Sequence, residues 1–288
     1  MRNALLSLAL CFLLPRAPSA QTETFDSNGV EIRYSITGDG PPLVLLHGFC
    51  AGLDAMRMFG TVDALAKDFQ VIALDVRGHG QSGKPHEPDR YGLEMIEDVV
   101  RLLDHLEIPE AHVAGYSMGG MLTLKLAATH PERVTSAIVG GFGWSDFGAP
   151  GEGLMDRVAD ALAAGDGIGP LMEALTPVDE DPPTGAQLDQ MNRMIVQQND
   201  ALALAACARS FRKLELSKEE LMALKVPLVC VIGEKDRLKA DVDRLVALRT
   251  DIEAVVVPGG NHMTAALSPL FVNTIREFAG DHELAEAR

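Results

Sequence analysis

The chain has 288 residues, 47% hydrophobic and only 5% aromatic, enough for one large α/β domain or a core with a small accessory domain. A formal net charge of −16 argues against nucleic acid, anionic lipid and other polyanions as partners. No repeat of 20–50 residues is visible, which excludes solenoid and propeller architectures.

The first twenty residues, MRNALLSLALCFLLPRAPSA, carry Arg2, an apolar run from Ala4 to Leu14, then Pro15 and small residues. That pattern predicts a secretory signal peptide over 1–20 and a secreted or periplasmic product. The run is too short to span a bilayer, and no later apolar segment approaches the required length of about twenty residues. Leu10 before Cys11 argues against a lipoprotein box. Loss of the leader removes Arg2 and Arg16 and no acid, taking the net charge from −16 to −18. Cys50, Cys207 and Cys230 remain. A Cys50–Cys207 disulfide is conceivable in an oxidising compartment, but spacing does not establish it. No cysteine pair has zinc spacing, and no metal or cofactor is called for.

Residues 30–38 alternate polar and apolar, as a half-exposed antiparallel strand does. Continuous apolar runs follow at 42–48, 70–78, 112–117, 134–141, 227–233 and 252–259, the signature of strands covered on both faces. Helical periodicity lies between them. Leu93, Ile96, Val100, Leu103 and Leu106 form one stripe, and further helices are predicted at 118–130, 240–249 and 269–279. Alternation of this kind implies a mostly parallel sheet with helices on both faces. From about Trp144 to Glu215 the strand signal vanishes. Leu154, Val158 and Leu162 repeat every four residues, and Leu188, Met191 and Ile195 share a face. Gly- and Pro-rich pieces, GDGIGP and TPVDEDPPTG, join these helices. The expected organisation is a core over 21–143, a helical cap over 144–215 and the rest of the core over 216–288.

Chemistry concentrates at Gly115-Tyr116-Ser117-Met118-Gly119, a G-x-S-x-G element between a strand and a helix. A serine hydroxyl is a weak nucleophile and needs an exposed position, a base and an oxyanion stabiliser. The turn exposes it at the carboxyl end of a strand and at a helix N-terminus. The glycines two residues away avoid collision. Of the histidines downstream, His130 ends the following helix and His282 lies in a polar tail. His262, in a Gly-rich loop after a strand, is the expected base. Asp236, after the strand ending VIG, is favoured as its acid partner over Asp146, which follows the preceding strand. The amides of Met118 and Phe49 are the expected oxyanion donors, and Tyr116 and Trp144 the expected substrate-contacting side chains. GHGQSGKP satisfies a nucleotide-loop pattern, but Pro85 stands where the magnesium-binding hydroxyl belongs.

The motifs LVLLHGF, VIALDVRGHGQSGKP, GYSMGG, GEKDR and GGNHM, in that order, resemble the α/β-hydrolase superfamily over residues 23 to 280. The resemblance implies an eight-stranded, mostly parallel sheet, a Ser-Asp-His triad, an inserted cap and a structural role for DVRGHGQS. Relatives similar to epoxide hydrolases and haloalkane dehalogenases carry aspartate at the elbow, where this chain has Ser117. The expected activity is hydrolysis of a small carboxylic ester or lactone through an acyl-enzyme. Cofactor-free haloperoxidase or perhydrolase chemistry, amide or C–C cleavage, and a non-catalytic binder are the alternatives. Oligomeric state is not encoded in any of these motifs.

Overall fold

A computed structural model describes residues 22–145 and 153–282. The predicted leader (1–20) and Asp146 lie outside the described residues. Eight strands form one sheet: β1 Thr22–Asp26, β2 Glu31–Thr37, β3 Pro42–Leu46, β4 Gln70–Leu74, β5 Ala111–Tyr116, β6 Val134–Gly140, β7 Leu228–Gly233 and β8 Glu253–Val257. Their order is β1-β2-β4-β3-β5-β6-β7-β8. β1 and β2 are antiparallel to their neighbours, and all other pairings are parallel. β1 has no counterpart among the strands expected from apolar runs. Its five residues, TETFD, bury only Phe25, so an exposed edge strand leaves little hydrophobic pattern to read.

The helices that connect the strands fall on both faces. After β3 come α1 (Leu53–Met58) and α2 (Thr61–Leu65), and after β4 comes α3 (Leu93–His105). After β5 comes α4 (Met118–Thr129). Between β6 and β7 lie α5 (Leu154–Ala164), α6 (Gly169–Leu175), α7 (Ala186–Gln198), α8 (Ala201–Ser210) and α9 (Lys218–Ala223). α10 (Lys239–Leu248) follows β7, and α11 (His262–Ala266) and α12 (Pro269–Gly280) follow β8. Strand alternation sorts the core into two clusters. Val44 and Leu46 of β3 join one, with α3 and α4, while Leu43 and Leu45 join the other, with α2 and α12. A third, smaller cluster holds α5 to α8 by Val158, Leu162, Ile168 and Leu204. The long apolar pattern of 187–211 is broken into two helices because Asp200 caps α8, accepting from Leu202 N at 2.9 Å and Ala203 N at 3.0 Å. No helix among the described residues is long and apolar enough to cross a membrane.

The turn after β4 is held by charge. Arg77 is fully buried and grips Asp98 of α3 through two bonds, Nε–Oδ2 at 2.6 Å and Nη2–Oδ1 at 2.5 Å. Its Nη1 donates to the Arg90 carbonyl at 2.6 Å. A buried guanidinium stripped of its carboxylate is costly. Asp98→Ala is therefore expected to lower unfolding free energy by about 3–5 kcal/mol in urea melts. A loss under about 1 kcal/mol, the range of an exposed pair, would contradict this account.

Candidate active site

Ser117 sits between β5 and α4 with φ 57° and ψ −115°, a left-handed backbone that side chains rarely adopt. Its amide donates to the Gly140 carbonyl at 2.8 Å and its carbonyl accepts from Met121 at 2.9 Å, so the turn is held from both sides. A Cβ on Gly115 would overlap the Gly119 carbonyl, as the sequence suggests. A Cβ on Gly119 would instead overlap the Leu46 carbonyl, so the second glycine is required by the approach of α4 to β3.

His262 and Asp236 meet this serine. The His262 Nε2 lies 3.0 Å from Ser117 Oγ, and its Nδ1 lies 2.8 Å from Asp236 Oδ2. A carboxylate only accepts, so Nδ1 carries the imidazole proton and Nε2 turns its lone pair to the hydroxyl. Asp236 is oriented by its other oxygen, which accepts from Leu238 N at 2.9 Å. His262 lies in the first turn of α11 rather than in an open loop. Asn261 caps that helix, accepting from Met263 N at 3.1 Å and Thr264 N at 2.9 Å. His262 and Asp236 are buried, at 3% and 4% exposure, while Ser117 is only half-buried and so open to a reactant.

The loop after β3 supplies the opposite wall. A Cβ on Gly48 would touch the Ser117 Cβ at 3.5 Å, which places this loop directly against the serine. Gly48 to Ala51 form a turn closed by Ala51 N donating to Gly48 O at 3.1 Å. Phe49 occupies its second position, and its ring stands edge-on to His79 and Phe211, both with centroids 5.5 Å away. Met118 opens α4, so its amide is among the N–H groups that no helical carbonyl reaches. These are the two amides that the sequence expects as oxyanion donors, one in the loop packed against Ser117 and one at the start of α4.

The sequence reading missed three supports. His47 accepts from Val76 N at 3.0 Å on Nε2, so its Nδ1 is the protonated nitrogen and donates to Gly48 O at 2.8 Å. Burial pushes its pKa down, and the neutral ring welds the β3 loop to the β4 turn. Asp75, fully buried, accepts from Leu53 N at 2.7 Å, Gln81 N at 2.9 Å and Arg33 Nη1 at 3.1 Å. Asn199 ties α7 to both loops. Tautomer and carboxylate bonds of this kind join distant segments, so only the Asp75 turn itself, in DVRGHGQS, had a local signal.

Tyr116 does not stand where a substrate-contacting side chain was expected. Strand alternation sends it under the sheet with Ala114, into the second core. There its hydroxyl donates to the His262 carbonyl at 2.8 Å, and its ring packs against His262 and Phe271, both with centroids 5.4 Å away. It therefore supports the histidine from below. Trp144 is half-buried against the first core, and its indole N–H donates to the Leu216 carbonyl at 2.9 Å. Cys50 and Cys207 are free thiols, and Cys207 Sγ lies 3.7 Å from Met95 Sδ. Among the described residues no cluster of His, Cys, Asp or Glu is arranged to hold a metal ion.

Comparison with known proteins agrees with this architecture. A family model described as "alpha/beta hydrolase fold" matches residues 41–142. The dihydrolipoyllysine-residue acetyltransferase component of the acetoin cleaving system of Pseudomonas putida is 45% identical over 104 residues, 36% of this chain and 27% of that protein. Bifunctional epoxide hydrolase 2 of Rattus norvegicus is 36% identical over 108 residues, 37% of this chain and 19% of that protein. In both, the match spans less than a third of the relative's own length. The crystal structure of the enol-lactonase from Burkholderia xenovorans LB400 superposes with a TM-score of 0.71 at 23% identity, covering 89% of this chain and 99% of that one. The family match across β3 to β6 and the likeness of the whole sheet to a solved hydrolase show that the chain has the α/β-hydrolase fold.

Proposed function

We propose that the protein is a serine hydrolase of small carboxylic esters or lactones, made with a leader peptide for secretion or periplasmic export. The observation that carries this reading is the continuous hydrogen-bonded line from Ser117 Oγ through His262 to Asp236, at 3.0 Å and 2.8 Å. The likeness to epoxide hydrolases concerns the scaffold, because the elbow side chain here is a hydroxyl. The fold likeness to an enol-lactonase is consistent with an acyl substrate.

In the proposed reaction, Ser117 Oγ attacks the carbonyl carbon as its proton passes to His262 Nε2. The imidazolium is stabilised by the Asp236 carboxylate. The carbonyl electron pair moves onto oxygen, where the Phe49 and Met118 amides receive it. Collapse breaks the bond to the alcohol, which leaves with the His262 proton and yields a Ser117 ester. Water, deprotonated by the same imidazole, then attacks this ester and releases the acid. α5 to α8 act as a cap over the pocket and set the size of the acyl and alcohol groups.

A panel of p-nitrophenyl esters from acetate to palmitate, with a few lactones, tests the reading together with a fluorophosphonate probe. The expected result is covalent labelling of Ser117 and turnover of at least one short ester or lactone. Absence of both labelling and turnover in folded protein would overturn it.

A further inference from the structure

α7 is thirteen residues long and buries none of them, yet the residue that follows it is buried: Asn199 is 8% exposed. Its carboxamide is used in full. Nδ2 donates to the Cys50 carbonyl at 3.1 Å and to the Ile195 carbonyl at 3.2 Å, and Oδ1 accepts from Gly80 N at 3.1 Å. Ending a helix would need only the local bond. The other two reach residues 149 and 119 positions away, one on the β3 loop and one on the β4 turn.

The carbonyl it grips is under strain. Cys50 has φ 64°, one of four positive-φ non-glycine residues among those described, and it is third in the Gly48–Ala51 turn, where such a backbone favours glycine. A turn with a non-glycine residue there persists only while its surroundings hold it. Relaxation would reorient the peptides of the turn, including the one that joins Phe49 to Gly48, the residue packed against Ser117.

We propose that Asn199 is a positioning residue: by clamping Cys50 O from the α7–α8 junction, it sets the Phe49 amide for the developing oxyanion and couples the seating of the cap to the chemistry. This rests on the hydrolase reading above. The neighbouring contacts do not depend on Asn199. Asp200 still caps α8 and meets His86 Nε2 at 3.1 Å, and the third core cluster still joins α5 to α8. Removal of the carboxamide should therefore leave the helices in place.

The test compares Asn199→Ala with the wild type, and makes the same change in a Cys50→Gly background, on whichever p-nitrophenyl ester the wild type cleaves. Because a misaimed oxyanion donor acts on the transition state, kcat should fall about tenfold or more while KM stays within about twofold. In the Cys50→Gly background, where glycine adopts the turn without a clamp, the same substitution should cost under about twofold in kcat. A purely structural tether would instead raise KM or lower the melting temperature, and would cost the same in both backgrounds. Either pattern, or an unchanged kcat, would overturn the proposal. The rate of Ser117 phosphonylation gives a second readout of the same hole. A wild type that neither cleaves nor labels removes the hydrolase reading and this one with it. A wild type that does, matched by Asn199→Ala, removes this one alone.

Discussion

Ser117→Ala is expected to abolish turnover of any ester that the wild type cleaves, by a factor on the order of 10⁴–10⁶ in kcat, while the protein stays folded. The size follows from the arrangement. His262 can take a proton only from what stands 3.0 Å from its Nε2, and with Oγ gone no other described group makes that bond. Residual rate would come from water in the vacated position and from the two amides. Loss of His262 should cost a similar amount, and the double variant no more than either single one, because the pair acts as a unit. A companion substitution separates chemistry from backbone. Ser117→Gly is equally inactive, but glycine accepts the 57° φ that serine and alanine resist. The glycine variant should therefore unfold at higher urea than the alanine variant, by roughly 1 kcal/mol after its greater chain entropy is counted. Turnover by Ser117→Ala within tenfold of wild type would remove the nucleophile assignment. An alanine variant as stable as the glycine one would show that the elbow stores no strain.

The parts of this site that were legible in the sequence are those whose cause is local or topological. Gly115, Ser117 and Gly119 announce a sharp strand-to-helix turn by spacing alone, and Asp236 and His262 follow strands that end at the same sheet edge. Features that depend on distant contact were not legible. Asn199 reads as an ordinary polar residue at a helix end, and two of its three partners lie more than a hundred positions away. Tyr116 was misplaced because adjacency in the chain was taken for adjacency in the pocket. Residues next to one another in a strand point to opposite faces, so Tyr116 goes beneath the sheet. α1 and α2 escaped notice because each is short and Gly60, at φ 76°, separates them before either shows a full periodic pattern. The two glycines of the elbow also have different reasons. One clears α4 itself and the other clears β3, a distinction that requires the packing of helix on sheet.

Stability is expected to fall steeply as pH drops from about 6.5 to 5, well before the carboxylates of an unfolded chain titrate. Three buried histidines drive this. His79, fully buried, is pushed down to about 3 chiefly by burial, with the neighbouring His47 ring adding to the shift. His112, bonded to Ser136 Oγ at 2.9 Å, is pushed down to about 4 by burial. His47 is lowered by burial as well. The sign is fixed by which state holds more protons. Below the ordinary histidine value near 6.5, the unfolded chain protonates all three rings while the folded one keeps His79 and His112 neutral and protonates His47 less readily, so acid favours unfolding. Each ring contributes roughly 1.4 kcal/mol per pH unit once its unfolded form is fully titrating, until the folded ring itself takes up a proton. One effect competes. Falling pH relieves repulsion within a chain of net charge −16, which stabilises the fold. Asp54, held low chiefly by its bond to Arg33, adds a further loss, but only as pH falls through the carboxylate range, below the window in question. Urea midpoints at pH 7.0, 6.0 and 5.0 should therefore decline progressively, and His112→Gln should flatten the decline by about one proton's share of the slope. A slope that His112→Gln leaves unchanged would mean that the interior protonates this ring without cost.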